Sequence, residues 1–367
     1  MTGGVAKKLA GLGVNWVREQ ARIVGKHVGN YVVAAGGEQY SGKRLLIATG
    51  SKVFLPPIDG LDEALASEFA LTSREILEIQ AVPEHLVVIG GGVIGLEMAS
   101  YYKAAGSQVT IVEMLDAIGG PQEPEIAEVL RESIEKMGIT VLTGHQVTSL
   151  KGNAVSCQKG SDKKVIACDK VLLSVGRRPV TEDIGLATIG VLTKRGAVVT
   201  DDNMRTNLPG VYAAGDVNGK SLLAHTAYRE AEVAVNHMLG VPDKMVYNAI
   251  PSVIYTNPEV AAVGITEAEA KRRALDYRVE FLSMRYAGRY EAENEMGKGI
   301  CKVLFDNKWN TILGAHMIGN HTSELVWGVD ALIAKGVTVE DIKKIVFPHP
   351  TVSEIIREAV FSKDKEI

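Results

Sequence analysis

Three groups of residues in this chain have the types and spacing to do chemistry. The first is Gly90-Gly91-Gly92-Val93-Ile94-Gly95, a GxGxxG run followed by Leu96-Glu97 and, eighteen positions after Gly95, by Glu113. The second is Pro348-His349-Pro350, with Glu354 five residues after the histidine. The third is the set of three cysteines, Cys157, Cys168 and Cys301.

Each part of the glycine run has a physical job. Gly90 permits a tight turn, Gly92 lets backbone approach a pyrophosphate with no Cβ in the way, and Gly95 allows close packing of helix on strand. A helix opening near Val93 offers unpaired N–H groups and a positive dipole end to phosphates. A carboxylate at Glu113 accepts hydrogen bonds from a ribose 2′-hydroxyl and repels a 2′-phosphate. No arginine occurs between Glu113 and Arg131, so NAD is favoured over NADP.

His349 is suited to take a proton from a thiol, because an unperturbed imidazole titrates close to working pH. Glu354 would orient the ring and stabilise its charged form. Thr351-Val352-Ser353-Glu354 also reads as a capping box, with Thr351 as N-cap and Glu354 at N3. The residues by themselves leave both roles open. The cysteines form no close pair, which opposes a disulfide framework or a zinc site and makes a cytoplasmic compartment the default. Cys157 and Cys168, eleven apart in strand-like segments, read as buried structural thiols. Of the eight histidines, the pattern marks only His349; His27, His85, His145, His237, His316 and His321 read as surface or satisfied residues with no metal-like spacing.

The elements that must hold these groups can be read from hydrophobic pattern. Leu86-Val87-Val88-Ile89 is a buried strand before the glycines, a helix runs from about 94 to 105, and Gln108–Val112 is the next buried strand, ended by Glu113. A helix near 125–137 stops at Gly138, and strands follow at 139–142, around 154–167 and at 171–176. The first fifty residues read as short strands at 15–17, 31–35 and 44–51, and Leu55-Pro56-Pro57-Ile58-Asp59-Gly60 reads as a crossover between domains. Strands near 198–199 and 210–216 precede a helix at 224–239. From Ile250 on, the pattern is a separate α+β module.

At 367 residues and 46% apolar content the chain needs two or three cores. A net charge of −4, with basic residues scattered among acids, lacks the footprint of a nucleic-acid binder. No apolar run approaches the roughly 20 residues of a membrane span, so neither nucleic acid nor membrane is expected as a partner.

Five motifs in order resemble those of pyridine nucleotide–disulfide oxidoreductases. They are Ala48-Thr49-Gly50-Ser51, Gly90 to Glu97, Ser174-Val175-Gly176-Arg177-Arg178-Pro179, Gly210-Val211-Tyr212-Ala213-Ala214-Gly215-Asp216, and His349-Pro350-Thr351-Val352-Ser353-Glu354. The resemblance covers essentially the whole chain and is closest to the dihydrolipoyl dehydrogenase branch, in which a redox dithiol and FAD carry electrons from dihydrolipoamide to NAD.

The resemblance implies an α/β fold: a Rossmann-like NAD domain (56–182) inserted in a truncated FAD domain (1–55 and 183–246), followed by an α+β dimerisation domain (247–367). It implies that Gly90, Gly91, Gly92, Val93, Ile94, Gly95, Leu96, Glu97, Glu113, Val147 and Gly176 serve NAD. It places Thr49, Gly50, Ser51, Asp216, Leu222, Leu223, Ala224 and His225 beside FAD, and makes His349 and Glu354 catalytic across a homodimer. Taken alone, Gly215-Asp216 is as well read as a cap or turn. The implied partners are a second copy and, through lipoyl domains, a 2-oxoacid dehydrogenase or glycine cleavage complex.

Two family segments, the dithiol with its lysine and the first glycine turn, are not found in these residues. No Cys-x4-Cys dithiol occurs, nor the lysine that family members place beside it to pair with the counterpart of Glu97, and GxGxxG occurs once, not twice. Met1-Thr2-Gly3-Gly4-Val5 resembles a family stretch that follows both. The expectation is therefore a chain short of its N-terminal FAD-binding and dithiol segment and inactive alone. The alternatives are a non-catalytic NAD-binding, dimerising remnant and an NADPH-dependent reductase of thiols or metals, the latter opposed by Glu113.

Overall fold

The computed structural model describes residues 2–362. The chain divides into two compact units, one made of the segment up to Lys52 with Arg177–Met245, the other of Val53–Gly176 with the segment from Val246 on.

In the first unit, strands Ala21–His27, Asn30–Ala35 and Glu38–Gly42 form an antiparallel sheet, and Leu45–Ile47 pairs in parallel with Val211–Ala213. Ile23, Tyr31, Ile47, Leu186, Val198, Val211 and Ala213 share its core. The chain then enters the helix Ala224–Met238. One expectation fails here. Residues 15–17 belong to no strand, and Thr2–Gly11 is a helix. Val5-Ala6-Lys7-Lys8-Leu9-Ala10 is a run of mostly strong helix formers, and it outweighs the glycines at 3, 4 and 11.

In the second unit a five-stranded parallel sheet runs in the order Ala70–Leu71, Lys170–Leu173, His85–Ile89, Gln108–Val112, Thr140–Leu142. Both faces are covered, which is why its strands read as continuous apolar runs. Leu86 and Val88 pack with Leu96, Ala99, Ile126 and Leu130 of the helices Val93–Ala104 and Pro124–Lys136. Val87 and Ile89 point the other way, into a core with Leu150, Val155 and Cys157 of the antiparallel strands Gln146–Lys151 and Ala154–Lys159.

The C-terminal segment adds a five-stranded antiparallel sheet ordered Ser252–Ile254, Val260–Gly264, Ile312–Ile318, Ile300–Asp306, Tyr277–Ser283. Cys301, Val303 and Phe305 face the helices Thr322–Lys335 and Glu354–Phe361. Ile254, Val260 and Ile318 join the core of Leu86 and Ile126. This shared packing makes one unit of the segments read as NAD domain and C-terminal module. None of the described helices is long and apolar enough to cross a membrane.

Candidate functional site

The glycine turn lies at the carboxyl end of His85–Ile89, between strands Lys170–Leu173 and Gln108–Val112, where the chain order of the parallel sheet reverses. That crevice is where open α/β sheets bind ligands. Gly90 has φ +103°, and a Cβ there would lie 2.6 Å from the Ser174 carbonyl oxygen. A Cβ on Gly95 would lie 2.0 Å from the Gly90 carbonyl oxygen and 3.1 Å from Val88 Cγ1, so only glycine lets the helix Val93–Ala104 sit this close to its strand. Gly92 is different. A Cβ there meets nothing within 4 Å, and no side chain caps the helix it precedes. Open space in front of an uncapped helix start is the arrangement a diphosphate needs.

Glu113 follows the next strand. Its Oε2 accepts from the Gly91 N–H at 2.6 Å and its Oε1 from the Leu115 N–H at 2.7 Å. The carboxylate is thus fixed beside the turn, with lone pairs left for a ribose hydroxyl. Ser174 Oγ donates to the Ile89 and Gly90 carbonyl oxygens, 3.0 Å from each, and ties the end of a third strand to the turn. Gly176, with φ +110°, lies two residues beyond it. Among the remaining candidates Val93 is exposed, Leu96 is fully buried in the core, and Val147 is buried beneath the sheet. Glu97 directs its carboxylate to the Tyr255 N–H at 3.0 Å. The residues present fit NAD.

In the first unit Thr49 Oγ1 donates to the Val180 carbonyl oxygen at 2.6 Å, and Gly50 has φ +70°. Ser51 Oγ donates to Asp216 Oδ2. Arg177, a residue given no role by the sequence reading, donates to Ser51 Oγ at 2.7 Å and to the Ser51 carbonyl oxygen at 2.6 Å. Glu230, fully buried, accepts from the Gly215 N–H and from Asn218 Nδ2 and so locks the turn that carries Asp216. Nothing in the sequence marked Glu230 beyond its being an acid in an amphipathic helix. Leu222, Ala224 and His225 are exposed and Leu223 is half-buried. This seat offers a half-buried carboxylate acceptor to a hydroxyl-bearing chain, as the flavin's ribityl would require. It offers no second glycine turn for the FAD pyrophosphate, so the fit to FAD is partial.

Near the C-terminus, His349 Nδ1 lies 2.8 Å from Glu354 Oε1, and Glu354 Oε2 accepts from the Thr351 N–H at 2.9 Å. The imidazole is 78% exposed and its carboxylate partner 19%. The Thr351 N–H and the His349 ring together hold the Glu354 carboxyl below its usual range. The helix begins at Glu354 with Ser353 as N-cap, not Thr351. Thr351 Oγ1 donates to the Pro348 carbonyl oxygen and so is not spent on the helix start. The capping box expected of Thr351 and Glu354 is therefore not formed: Glu354 is the first helical residue, and its two oxygens bind the His349 ring and the Thr351 N–H.

The three cysteines are buried and free. Burial pushes the Cys168 and Cys301 thiols up to about 12. Among the described residues no three His, Cys, Asp or Glu side chains gather as a metal site. Two histidines read as satisfied are not: His145 Nε2 and His316 Nδ1 are buried without a hydrogen-bond partner.

Comparison with known proteins adds three findings. The sequence model of the pyridine nucleotide-disulphide oxidoreductase family matches residues 1–231, and that of the family's dimerisation domain matches residues 250–360. The dihydrolipoyl dehydrogenase of Rhizobium etli is 38% identical over 336 residues, 89% of this chain and 68% of the relative. That of Mycoplasma pneumoniae is 33% identical over 362 residues, 98% of this chain and 78% of the relative. Among solved structures, LpdA of Mycobacterium tuberculosis superposes with a TM-score of 0.88 at 25% identity, covering 98% of this chain and 80% of that one.

Proposed function

The chain belongs to the pyridine nucleotide-disulphide oxidoreductase family, an FAD-dependent and NAD-linked family of enzymes, and from that premise we propose that it works in a dihydrolipoyl dehydrogenase. Its own residues bind NAD and supply the base that receives a thiol proton. The observation that carries this reading is Glu113, fixed beside the phosphate turn by two backbone N–H groups.

The bound nicotinamide supplies the hydride acceptor. The backbone at Gly92 and the uncapped N–H groups at the start of the helix Val93–Ala104 would hold the diphosphate, and Glu113 would accept from the adenosine ribose. A 2′-phosphate would be repelled by the same carboxylate. At the other candidate site, Glu354 accepting from Nδ1–H leaves His349 Nε2 with its lone pair outward, able to take a proton from a thiol and give it up to solvent. Glu354 then stabilises the imidazolium.

The dithiol itself is not among these 367 residues. Exchange with a disulfide needs two neighbouring thiols, one to attack and one to resolve, and Cys157, Cys168 and Cys301 are buried and free. We therefore assign dinucleotide binding to this polypeptide and no dihydrolipoamide turnover to it alone, with FAD held weakly. The partners assigned are a second copy, through residues 250–360, and a lipoyl-bearing 2-oxoacid dehydrogenase or glycine cleavage complex.

The test is a titration and an assay on the purified 367-residue polypeptide. NADH is expected to bind at least about tenfold more tightly than NADPH, a difference of about 1.4 kcal/mol. No NAD reduction is expected with FAD and dihydrolipoamide present. Absence of NADH binding, or a preference for NADPH, overturns the cofactor assignment, and steady turnover overturns the assignment of no activity.

A further inference from the structure

Lys302 lies in the strand Ile300–Asp306, on the face opposite Cys301, Val303 and Phe305. It is 2% exposed. A buried ammonium persists only if paired and hydrogen-bonded. Its Nζ reaches Glu267 Oε2 at 2.7 Å, Glu123 Oε2 at 2.8 Å and Glu125 Oε1 at 3.0 Å. Burial opposes its charge, but the three carboxylates outweigh burial and hold its pKa above the ordinary lysine value. His316, its cross-strand neighbour, points Nε2 at the Ile265 carbonyl oxygen, 3.8 Å from Glu123 Oε1. Lys271 and Tyr277 complete the set through Glu267.

Glu123 is the unusual member. It is the N-cap residue of the helix Pro124–Lys136, yet its side chain does not cap that helix. It is 1% exposed, with Oε2 on Lys302 and Oε1 accepting from the Glu267 N–H at 2.5 Å. Glu123 also ends the loop that begins at Glu113. In the middle of that loop Ile118 lies against Gly91, its Cγ2 2.7 Å from where a Gly91 Cβ would be, and Gly119 N–H donates to the Gly91 carbonyl oxygen at 2.8 Å. The loop thus lies over the phosphate turn, with Met114 and Leu115 exposed on its outer side. Its far end is held by an ion pair to a different sheet.

We infer that Lys302 is a positioning residue for the dinucleotide: through Glu123 it fixes the loop Glu113–Glu123 over the phosphate turn, and so sets affinity for the adenosine ribose and diphosphate. This rests on NAD binding at Gly90–Gly95. Loosening the anchor frees Ile118 and Gly119 to move off Gly91, and the carboxylate of Glu113, which hangs between Gly91 and Leu115, moves with them. The nicotinamide half of the ligand does not depend on this loop.

Glu123→Gln tests the inference in the full 367-residue chain. Glutamine still accepts from the Glu267 N–H but no longer forms the ion pair, and Lys302 keeps two carboxylates. The expected result is about fivefold weaker binding of NADH and of ADP-ribose, the share of a charge-assisted hydrogen bond that reaches the site. Nicotinamide mononucleotide binds unchanged, and the preference for NADH over NADPH falls, which loss of stability alone would not cause. Glu132→Gln, which removes the exposed Lys298–Glu132 bridge from the same helix, leaves all three ligands unaffected. If Glu123→Gln does not fold, Glu123→Asp keeps the charge, shortens the tether by one methylene and is judged by the same ligands. Wild-type chain that fails to bind NADH sinks the underlying cofactor assignment before any variant is compared. Wild-type binding with an unchanged Glu123 variant, or an equal loss in Glu132→Gln, overturns the role of Lys302.

Discussion

Gly92 and Gly95 sit three residues apart in one turn, and alanine at each should fail in opposite ways. At Gly95 the added Cβ would stand 2.0 Å from the Gly90 carbonyl oxygen, 2.8 Å from Ser174 Oγ and 3.1 Å from Val88 Cγ1. The first of these is backbone in the very turn proposed to bind phosphate, so it cannot yield without lifting the helix off the strand. Overpacking of this kind costs about 3 kcal/mol. Alanine recovers at most about 1 kcal/mol of helix propensity. The net loss of about 2 kcal/mol lowers Tm by about 5 °C for a unit of this size. At Gly92 the Cβ meets nothing within 4 Å, and φ is −77°. The only structural cost is a poorer N-cap, about 0.5 kcal/mol and about 1 °C. That same Cβ would occupy the space through which we propose the diphosphate reaches backbone, so the Kd for NADH should rise at least about tenfold. Calorimetry and NADH fluorescence titration of the two variants separate the effects. A Gly92→Ala chain that binds NADH like wild type would refute the close approach of backbone to phosphate. A Gly95→Ala chain as stable as wild type would refute the packing argument.

The buried network around Lys302 also sets a pH dependence. Burial holds His316 below the ordinary histidine value, and hydrogen bonds from Lys271 and Lys302 hold Glu267 at about 2 against 4.5. Both are depressed in the folded chain, so their contributions are complete above the unfolded values and are lost as pH falls, first below the histidine range and then from 4.5 towards 2. Tm should therefore fall with acidification below pH 7, and below about pH 4.5 the fall should be less steep in Glu267→Gln; equal slopes below about pH 4.5 would contradict the assignment. The cysteines give a second check, because only a thiolate attacks a disulfide reagent. Burial raises all three thiols, Cys168 and Cys301 to about 12, so the native chain should leave dithionitrobenzoate unreduced over minutes and release three equivalents once denatured. Rapid reaction of any native thiol would reopen the possibility of exchange chemistry within these residues.

What the sequence made legible follows from which side chains the fold constrains on both sides. Leu86-Val87-Val88-Ile89 reads as a strand because the parallel sheet is covered on both faces, and the glycines after it are legible because each lacks a Cβ for a different reason. Glu113 follows from its place at the end of the next strand. The helix Thr2–Gly11 was hidden by flanking glycines, and the start of the last helix was displaced two residues, from Thr351 to Ser353, because the Thr351 hydroxyl bonds Pro348 instead. Glu230 and Arg177 act through backbone and side-chain partners far along the chain, and no local pattern encodes those partners.

Lys302 is the more instructive omission, because a signal was there. A charge in a strand normally marks a face open to water, and Ile300-Cys301-Lys302-Val303-Leu304-Phe305 alternates in a way that points Lys302 away from the helices. In a sheet with one wet face, however, positions 300 and 304 would also be polar. They are isoleucine and leucine, and Leu304 is fully buried. A single lysine flanked on its own face by two apolar residues is therefore a buried lysine, and a buried lysine demands carboxylates from somewhere else in the chain. Glu123, an acid at a helix start that leaves its own helix uncapped, is the matching half. Neither half is interpretable alone. Together they bind the loop that carries Glu113, the acid proposed to bind ribose, to the sheet of the dimerisation domain, which is why we assign the one lysine of that strand a role in dinucleotide affinity and not only in holding the two sheets together.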